Sequence, residues 1–443
     1  MPDKPNVLFI LNDQWRGSAL GVSDDSGVYT PHLDALAAQG VNCTRAYSAN
    51  PVCTPNRANI LTGRHAHQTG MIRNDLMLPP DEICFPEVFR ENGYITHYIG
   101  KFHIDGEARP GYVPPGWRRR GFQTFEGFNR GHVYHRHWGF DDSGADLPWE
   151  LGGNPYFEPT LQTELAMQFM ERNRQSPFLC YLSLGPPHSP FIPPPAFDRY
   201  SPESIRLRPN VPSTHQVQAR QALAGYYGLC EALDDEIGRL LKFLEQSGLA
   251  RNTLVVFTSD HGELAGSHGK MHKGEPEEES LRVPLILHWP GVLEGGRTNT
   301  ALINSIDIMP TLLGLVGLPD PGTGSGTDLA PLLTGEDNAA ENPCLACQGK
   351  LAQPAEEQWR CLVTPTHKLV IGGANAGTTS LYHLANDPFE IDNLAGKHPT
   401  LEKSLRETLL QKLAETGDPF PGPATSAQFA YPVPAGPDSS PDR

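Results

Sequence analysis

The sequence lacks any continuous apolar run long enough to cross a membrane. It also lacks an excess of basic residues: the formal net charge is −16, which argues against a nucleic-acid-binding protein. The first apolar run, residues 6–11, is too short for the core of a signal peptide, so we expect a cytoplasmic protein. What remains is a soluble globular chain, for which 38% hydrophobic and 19% charged residues are typical.

Cysteine pairs are also missing. The eight cysteines are scattered along the chain, mostly in apolar segments, and this indicates a reducing compartment rather than a disulfide framework. Cys344 and Cys347 are spaced like half of a zinc site, but no second pair follows at a matching spacing. The cysteines therefore have to be interpreted one by one.

Apolar runs alternate with helical patterns over most of the chain. Runs that predict buried strands occur at 6–11, 41–47, 95–99, 178–184, 254–258 and 284–287. Helices are predicted between them at 32–39, 85–92, 161–174, 217–246 and 309–316. This alternation predicts an α/β fold with a mostly parallel sheet sandwiched by helices.

The pattern changes after about residue 340. A predicted antiparallel hairpin, 360–363 with 368–371, is followed by a closing helix over 401–415. We therefore expect an N-terminal α/β domain over 1–340 and a smaller α+β subdomain with an antiparallel sheet over 341–420. Residues 421–443 are rich in proline and indicate a surface tail.

One cysteine lies in an unusual setting, the stretch Cys-Thr-Pro-Asn-Arg-Ala-Asn-Ile-Leu-Thr-Gly-Arg that begins at Cys53. Pro55 suits the first turn of a helix and Gly63 suits its end, so Cys53 is predicted at a helix N-terminus, where an anion is favoured. Arg57 would lie one turn further on, on the same side. A buried structural cysteine is the alternative interpretation.

Polar residues follow the ends of several predicted strands. They are Asp13 and Gln14, Lys101 and His103, His188, and Asp260 and His261. Because the carboxyl ends of parallel strands share one sheet edge, we expect these side chains to meet near Cys53. Metal ligands surrounded by cations, which include Arg57 and Lys273, suit a tetrahedral oxyanion such as sulfate or phosphate. Taken singly, each residue has a structural alternative as a turn, cap or loop residue.

In combination, these motifs resemble the type I sulfatase family of the alkaline-phosphatase superfamily. The stretch from Cys53 matches the pattern Cys/Ser-x-Pro-x-Arg-x-x-x-Leu-Thr-Gly-Arg, in which the cysteine is converted to formylglycine and works as its hydrate. Supporting matches occur in the family's order at 5–8, 100–103, 187–190, 258–262, 273–274, 282–286 and 381–394. The resemblance covers nearly the whole chain and implies a sulfuric ester hydrolase that is matured by a formylglycine-generating enzyme.

The resemblance also implies one divalent metal, held by Asp13, Gln14, Cys53, Asp260 and His261. Many sulfatases have a second carboxylate where this chain has Gln14 and an asparagine where it has His261. That departure resembles the choline-sulfatase and phosphonate-monoester-hydrolase branches. Calcium prefers oxygen ligands and imidazole suits transition metals, so we expect Ca²⁺ first, with Mn²⁺ as the alternative.

The mechanism that the resemblance implies is covalent catalysis. One hydroxyl of the hydrate attacks sulfur, and the alcohol leaves with a proton from His188 or with help from Lys273. The second hydroxyl, deprotonated by His103, then expels sulfate. Arg57 would steady the nucleophile, while Lys101 and Lys273 would neutralise the sulfate oxygens.

The substrate itself is less well indicated. Asn74 resembles a family position that touches the sulfate. Residues 105–157 are long for a loop and carry basic and aromatic side chains, namely Arg118, Arg119, Arg120, Arg130, His132, His135, His137 and Trp138. They could form a pocket wall for a sulfated saccharide, with His135 and Trp138 beside the sugar, or a solvated basic loop. We expect a small organic or saccharide sulfate ester as the substrate, with no nucleic-acid or membrane partner, and homo-oligomerisation stays open.

Two other functions compete with this interpretation. A phosphonate monoester or phosphodiester hydrolase of the same superfamily is compatible with the predicted metal ligands. Lys101 and His103 argue for sulfate, because the phosphonate hydrolases carry uncharged residues at those positions. A non-catalytic anion-binding relative would need a broken maturation motif or broken metal ligands, and both are intact here.

Overall fold

The computed structural model describes residues 4–23, 27–135, 139–147, 150–151, 154–155, 157–336, 342–348, 358–372 and 377–420. The proline-rich stretch expected over 421–443 and the predicted substrate contact Trp138 lie outside these ranges. Within them, no helix combines the length and the apolar character that crossing a bilayer needs.

The strands, in chain order, are β1 Asn6–Asp13, β2 Val41–Cys43, β3 Ala46–Tyr47, β4 Ile95–Lys101, β5 Thr124–Phe128, β6 Glu150–Leu151, β7 Asn154–Pro155, β8 Phe178–Pro187, β9 Thr253–Ser259, β10 Arg282–Val283, β11 Leu285–His288, β12 Arg297–Asn299, β13 Ile303–Asn304, β14 Cys344–Gln348, β15 Trp359–Val363, β16 His367–Gly372 and β17 Gly377–His383. The α-helices are α1 Pro31–Gln39, α2 Cys53–Thr62, α3 Ala66–Thr69, α4 Phe85–Glu91, α5 Glu158–Arg172, α6 Gln216–Gln246, α7 Glu278–Leu281, α8 Ile308–Val316, α9 Ala330–Thr334 and α10 Pro399–Thr416.

The main sheet has eight strands in the order β12-β2-β11-β9-β1-β8-β4-β5. All neighbours are parallel except β11, which runs antiparallel to both β2 and β9. The predicted mostly parallel sheet is therefore confirmed. The strand predicted at 284–287 exists, but its reversed direction is something that an apolar run cannot specify.

Helices cover both faces of this sheet, and the central strand β1 shows why. Val7, Phe9 and Leu11 point into one core, which includes side chains of α2, α4 and α8. Leu8 and Ile10 point into the other core, with side chains of α1, α5 and α6. Alternate residues of a strand face opposite sides, so a strand buried on both faces must be apolar throughout.

The strand predicted over 41–47 is wrong as a single element. β2 stays in the main sheet, whereas β3 pairs with β10 and β13 in a separate three-stranded sheet. The chain therefore leaves the main sheet between Cys43 and Ala46, a few residues before Cys53. Pairing with distant strands decides this division, and the local sequence does not reveal it.

A four-stranded antiparallel sheet, in the order β14-β15-β16-β17, forms late in the chain. The helix α10 packs on it through Leu409 and Leu413. The predicted hairpin and closing helix are thus present, within a larger sheet. The backbone N–H of Cys347 in β14 donates to the carbonyl of Ala49 at 2.9 Å, so this sheet contacts the segment that leads to Cys53.

Four parallel strands of the main sheet end at one edge. In their registers Asp13 lies opposite Pro187, Asn12 opposite Ser259, and Gly100 opposite Ser183. The residues that follow β1, β4, β8 and β9 consequently emerge together, at the edge where open α/β sheets bind ligands.

Candidate active site

Cys53 is the first residue of α2, as the sequence predicts. All ten residues of the helix are buried, and Gly63 ends it with a φ of 64°, its N–H donating to the carbonyl of Asn59 at 2.9 Å. Asn74 Oδ1 accepts a hydrogen bond from the N–H of Thr54 at 3.0 Å, which satisfies one of the free N–H groups of the first turn. The predicted substrate contact Asn74 therefore also caps this helix.

Four of the predicted metal ligands meet at Cys53. The ligand atoms of Asp13, Cys53, Asp260 and His261 all lie within 4.8 Å of one another, and all four side chains are buried. Cys53 Sγ is 3.6 Å from Asp13 Oδ1 and 3.2 Å from His261 Nε2. His261 Nε2 is 3.5 Å from an Oδ1 of each aspartate.

Each aspartate divides its two oxygens between this cluster and Arg57. Their Oδ2 atoms accept from the buried guanidinium, Asp13 from Nη2 at 3.3 Å and Asp260 from Nε at 3.0 Å. Burial alone would lower the pKa of Arg57, but the two carboxylates raise it above its ordinary value. Arg57 is thus a permanent cation, and Nη1 also donates to Ser183 Oγ at 2.7 Å.

The ring of His261 is oriented for ligation. Its Nδ1 lies 3.1 Å from the carbonyl of Gly262, an acceptor that fixes the proton on Nδ1 in the neutral ring. The lone pair of Nε2 then faces the two aspartates and Cys53. A metal-ligating histidine usually donates its other ring N–H to a backbone carbonyl, as His261 does here. The ligand atoms of Asp13, Cys53, Asp260 and His261 therefore fit a divalent cation.

Gln14 lies beside the cluster, with its backbone N–H 3.1 Å from Asp260 Oδ1. Its side-chain Nε2 donates to Glu263, which directs Oε1 to the Nζ of Lys273 at 2.6 Å. The structure therefore places Gln14 at the site and gives Oε1 a cationic partner. Its role as a metal ligand stays a prediction.

Cations dominate the surroundings of the cluster. Lys101 is fully buried and its Nζ contacts Asp13 Oδ2. Burial raises the pKa of Asp13, but the cations Lys101 and Arg57 outweigh it and hold that pKa well below its usual value. Asp13 is consequently charged throughout the neutral range.

The thiol of Cys53 responds to the same charges. Burial and Asp13 raise its pKa, while Lys101, Lys273 and His261 lower it, and the net result is a pKa below the ordinary value. The surroundings of Cys53 therefore stabilise a negative charge, and they would stabilise a developing oxyanion in the same way.

His103 is almost fully buried, and its backbone carbonyl accepts from Thr54 Oγ1 at 2.7 Å. Burial, followed by Lys101 and Arg57, lowers its pKa well below the ordinary value. Among the described residues neither ring nitrogen has a hydrogen bond, and Nε2 lies 3.6 Å from an oxygen of Asp75. A neutral imidazole with free nitrogens can accept a proton.

His188 follows β8, as predicted, and its Nδ1 lies 2.7 Å from the carbonyl of Ser189. The proton of the neutral ring is therefore on Nδ1, and Nε2 carries the lone pair. Burial and the nearby Lys273 lower the pKa of His188 well below its ordinary value. His188 can donate a proton from Nε2 only after it has become charged.

The three arginines at 118–120 are held by internal contacts, and only Arg118 stays partly exposed. Arg118 forms a two-bonded ion pair with Asp105, at 2.8 and 2.6 Å. Arg119 and Arg120 are buried, the former against Asp142 and the latter against the carbonyl of Glu82. These arginines hold their own loop in place.

Further along that loop, His135 Nε2 lies 2.8 Å from the carbonyl of Ile192, in the segment that follows His188. The ring of His132 stacks on the ring of His188, with centroids 3.7 Å apart and planes at 11°. The loop therefore reaches the segment around His188, after the end of β8, through His132 and His135.

Sequence reasoning missed three contributors. Ser183, which binds Arg57, is hidden inside the apolar run of β8, and nothing local distinguishes it. Glu263, which orients Gln14, follows the motif at 258–262 and resembles an ordinary loop acid. The sequence indicates His132 only as part of a basic loop, since its proximity to His188 depends on the tertiary fold.

Comparison with protein families gives two matches that together span residues 5–417. The family model described as Sulfatase matches residues 5–318. A second model, described as N-sulphoglucosamine sulphohydrolase, C-terminal, matches residues 266–417.

Among curated proteins, an ulvan-active sulfatase of Formosa agariphila is 39% identical over 428 residues, which is 95% of this chain and 83% of the relative. An N-acetylglucosamine-6-O-sulfatase of Bacteroides thetaiotaomicron is 25% identical over 500 residues, which is 93% of this chain and 86% of the relative.

Two solved structures extend the comparison. The candidate sulfatase yidJ from Bacteroides fragilis superposes with a TM-score of 0.87 at 27% identity, over 97% of this chain and 98% of its own. A phosphonate monoester hydrolase of Agrobacterium radiobacter gives a TM-score of 0.76 at 23% identity, over 93% and 96%. The second similarity concerns the fold alone.

Proposed function

Because the chain belongs to the type I sulfatase family of the alkaline-phosphatase superfamily and is a sulfuric ester hydrolase, we propose that it hydrolyses a sulfate ester of a saccharide with a nucleophile made from Cys53. One observation carries the proposal. Asp13, Cys53, Asp260 and His261 converge within 4.8 Å at the N-terminus of α2, beside the buried cation Arg57.

Cys53 would act as formylglycine, whose hydrate offers one hydroxyl for attack and a second for the expulsion of sulfate. This requires maturation by a formylglycine-generating enzyme, since a thiol has only one nucleophilic group. Asp13, Asp260 and His261 would hold the metal, with Gln14 and the modified Cys53 completing the set. The metal supplies Lewis-acid charge stabilisation. We expect Ca²⁺, with Mn²⁺ as the alternative that the imidazole ligand favours.

The cations would bind the sulfate group. Arg57 is held by both aspartates and stays beside the nucleophile. The ammonium groups of Lys101 and Lys273 each have three N–H donors and at most two present partners, so each can keep its partners and still reach a sulfate oxygen. His103, neutral through its lowered pKa, would accept the proton of the second hydroxyl.

The leaving alcohol has two candidate donors. Lys273 carries a donatable proton as an ammonium. His188 must first be protonated at Nε2, and a negatively charged sulfate ester bound beside it favours that form. We propose that His188 donates the proton in the substrate complex and that Lys273 stabilises the leaving oxygen.

Support for a saccharide substrate comes from the relatives, which are an ulvan-active sulfatase and an N-acetylglucosamine-6-O-sulfatase. His135 lies next to the segment after His188 and is proposed as a substrate contact, together with Asn74 and Trp138. Replacing His135 with alanine should reduce turnover of a sulfated saccharide far more than that of a small aryl sulfate. Equal losses on both substrates would contradict its role.

A phosphonate monoester or phosphodiester hydrolase is the second candidate, favoured by the shared fold. Lys101 and His103 argue against it, because the phosphonate hydrolases carry uncharged residues at those two positions. The test is kcat/KM on 4-nitrophenyl sulfate, bis(4-nitrophenyl) phosphate and an aryl phosphonate monoester, using protein matured in the presence of the generating enzyme. The sulfate ester should be preferred, and preference for either phosphorus ester would overturn the proposal.

A further inference from the structure

His132 occupies a position between two groups of the proposed sulfate site. Its Nε2 lies 3.4 Å from the Nζ of Lys101, and its ring stacks on His188 with centroids 3.7 Å apart. The mechanism proposed above gives it no role. It is nevertheless bonded at both ring nitrogens, which indicates a specific orientation.

The hydrogen bonds define which nitrogen carries the proton. The hydroxyl of Tyr134 lies 3.2 Å from the carbonyl of Gly185, and a carbonyl can only accept, so the hydroxyl is the donor there. That hydroxyl must then accept from His132 Nδ1, also at 3.2 Å. The proton of His132 is thus on Nδ1, and its Nε2 lone pair faces the ammonium of Lys101.

Burial keeps both Tyr134 and His132 uncharged, as these hydrogen bonds require. Tyr134 is almost fully buried, and burial with the nearby Asp13 raises the pKa of its hydroxyl well above the ordinary value. Burial and Lys101 lower the pKa of His132 to about 2. A neutral His132 can accept from Lys101, whereas a charged one would repel it.

The contact with His132 restricts the orientation of the Lys101 ammonium group. An ammonium has three N–H donors. One serves Asp13 Oδ2 and one serves His132 Nε2, so the third direction is determined. Without His132 the ammonium could rotate about its bond to Asp13.

We propose that His132 is a positioning residue: a neutral acceptor, held by Tyr134, that aims the remaining N–H of Lys101 at a sulfate oxygen. The inference rests on the proposed function only in assigning sulfate to Lys101. The orientation of Lys101 then depends on the hydrogen-bond acceptor of His132 and not on its aromatic ring.

Two substitutions separate the acceptor from the ring. His132→Gln places an amide oxygen near the position of Nε2 but cannot stack on His188. His132→Phe keeps a flat ring beside His188 but has no acceptor for Lys101. The readouts are kcat/KM on 4-nitrophenyl sulfate and the Kd of inorganic sulfate by calorimetry, with the wild-type protein as the reference.

We expect His132→Phe to lose at least about tenfold in kcat/KM and to bind sulfate several-fold more weakly, the size of effect of a hydrogen bond to a charged group. His132→Gln should stay within about threefold of wild type on both readouts, since its amide replaces the acceptor. Equal losses in the two variants, or a loss confined to His132→Gln, would overturn the proposal.

A third variant tests the Tyr134 contact. Tyr134→Phe removes the hydroxyl that fixes the tautomer, and it should weaken sulfate binding in the same direction as His132→Phe, whereas unchanged binding would contradict the proposal. Sulfate binding needs no turnover. If the wild-type protein failed on every sulfate ester, the proposed function would fall while the calorimetry still decided the role of His132.

Discussion

At the scale of single residues, the site depends on carboxylates that each serve two neighbours. Asp13 and Asp260 direct Oδ1 at the ligand cluster and Oδ2 at Arg57. The guanidinium therefore orients both aspartates before any metal binds, and it compensates part of their buried charge. The sequence predicts all three residues at the site, but the division of the oxygens depends on tertiary geometry.

The state of His103 has a consequence for pH dependence. A general base must be unprotonated, so activity is lost as the pH falls through the pKa of that base. The pKa of His103 is lowered well below its ordinary value, by burial first and then by Lys101 and Arg57. We expect the imidazole of His103 in the free protein, followed by NMR, to titrate below pH about 6.5, the ordinary histidine value. A titration at or above that pH which is absent from His103→Asn would contradict this assignment.

At the scale of elements, the sequence predicts the edge of the main sheet well. Apolar runs define β1, β4, β8 and β9, and the polar residues that follow them meet as expected, because parallel strands share one carboxyl edge. The direction of β11 and the break between β2 and β3 depend on pairing with distant strands. Ser183 was missed for a related reason, since its partner Arg57 comes from another element.

The cap on α2 gives a prediction that separates structure from substrate contact. Asn74→Ala removes the oxygen that accepts from the N–H of Thr54, so we expect the free energy of unfolding to fall by about 1 kcal/mol. Asn74→Asp keeps that oxygen and should unfold like wild type in a denaturant titration.

The same pair of variants tests the proposed contact of Asn74 with the sulfate. The carboxylate of Asn74→Asp should repel the substrate and raise KM, because like charges at contact disfavour binding. An unchanged KM in Asn74→Asp would mean that Asn74 caps the helix but does not contact the sulfate.

At the scale of the whole molecule, the antiparallel sheet supports the segment that carries the nucleophile. Cys347 N–H donates to the carbonyl of Ala49, and Asn304 Nδ2 donates to the carbonyl of Leu345 at 2.8 Å. These bonds join the late sheet to the segment before α2 and to β13. The sequence predicts the hairpin and the closing helix, but no local pattern indicates this contact.

Lys368 in β16 joins the same sheet to Glu278 of α7. Its ammonium is fully buried and lies 2.8 Å from Glu278 and 2.7 Å from Glu390. Lys368→Met would leave the buried carboxylate of Glu278, and the carboxyl group of Glu390 whose pKa burial raises to about 8, without this cation. We therefore expect unfolding to become easier by about 3–5 kcal/mol. Lys397→Met is the matched control, because its ion pair with Asp392 is exposed and should contribute little. Equal stability of the Lys368→Met variant and the wild type would refute this role.

The central claim is that Cys53, once converted to formylglycine, is the nucleophile. The direct measurement is the rate of sulfate release from an aryl sulfate, plotted against the fraction of Cys53 that mass spectrometry finds converted, for preparations made with increasing amounts of the generating enzyme. The account predicts a straight line through the origin, with Cys53→Ala inactive but folded. Normal turnover by unconverted protein, or by Cys53→Ala, would contradict it.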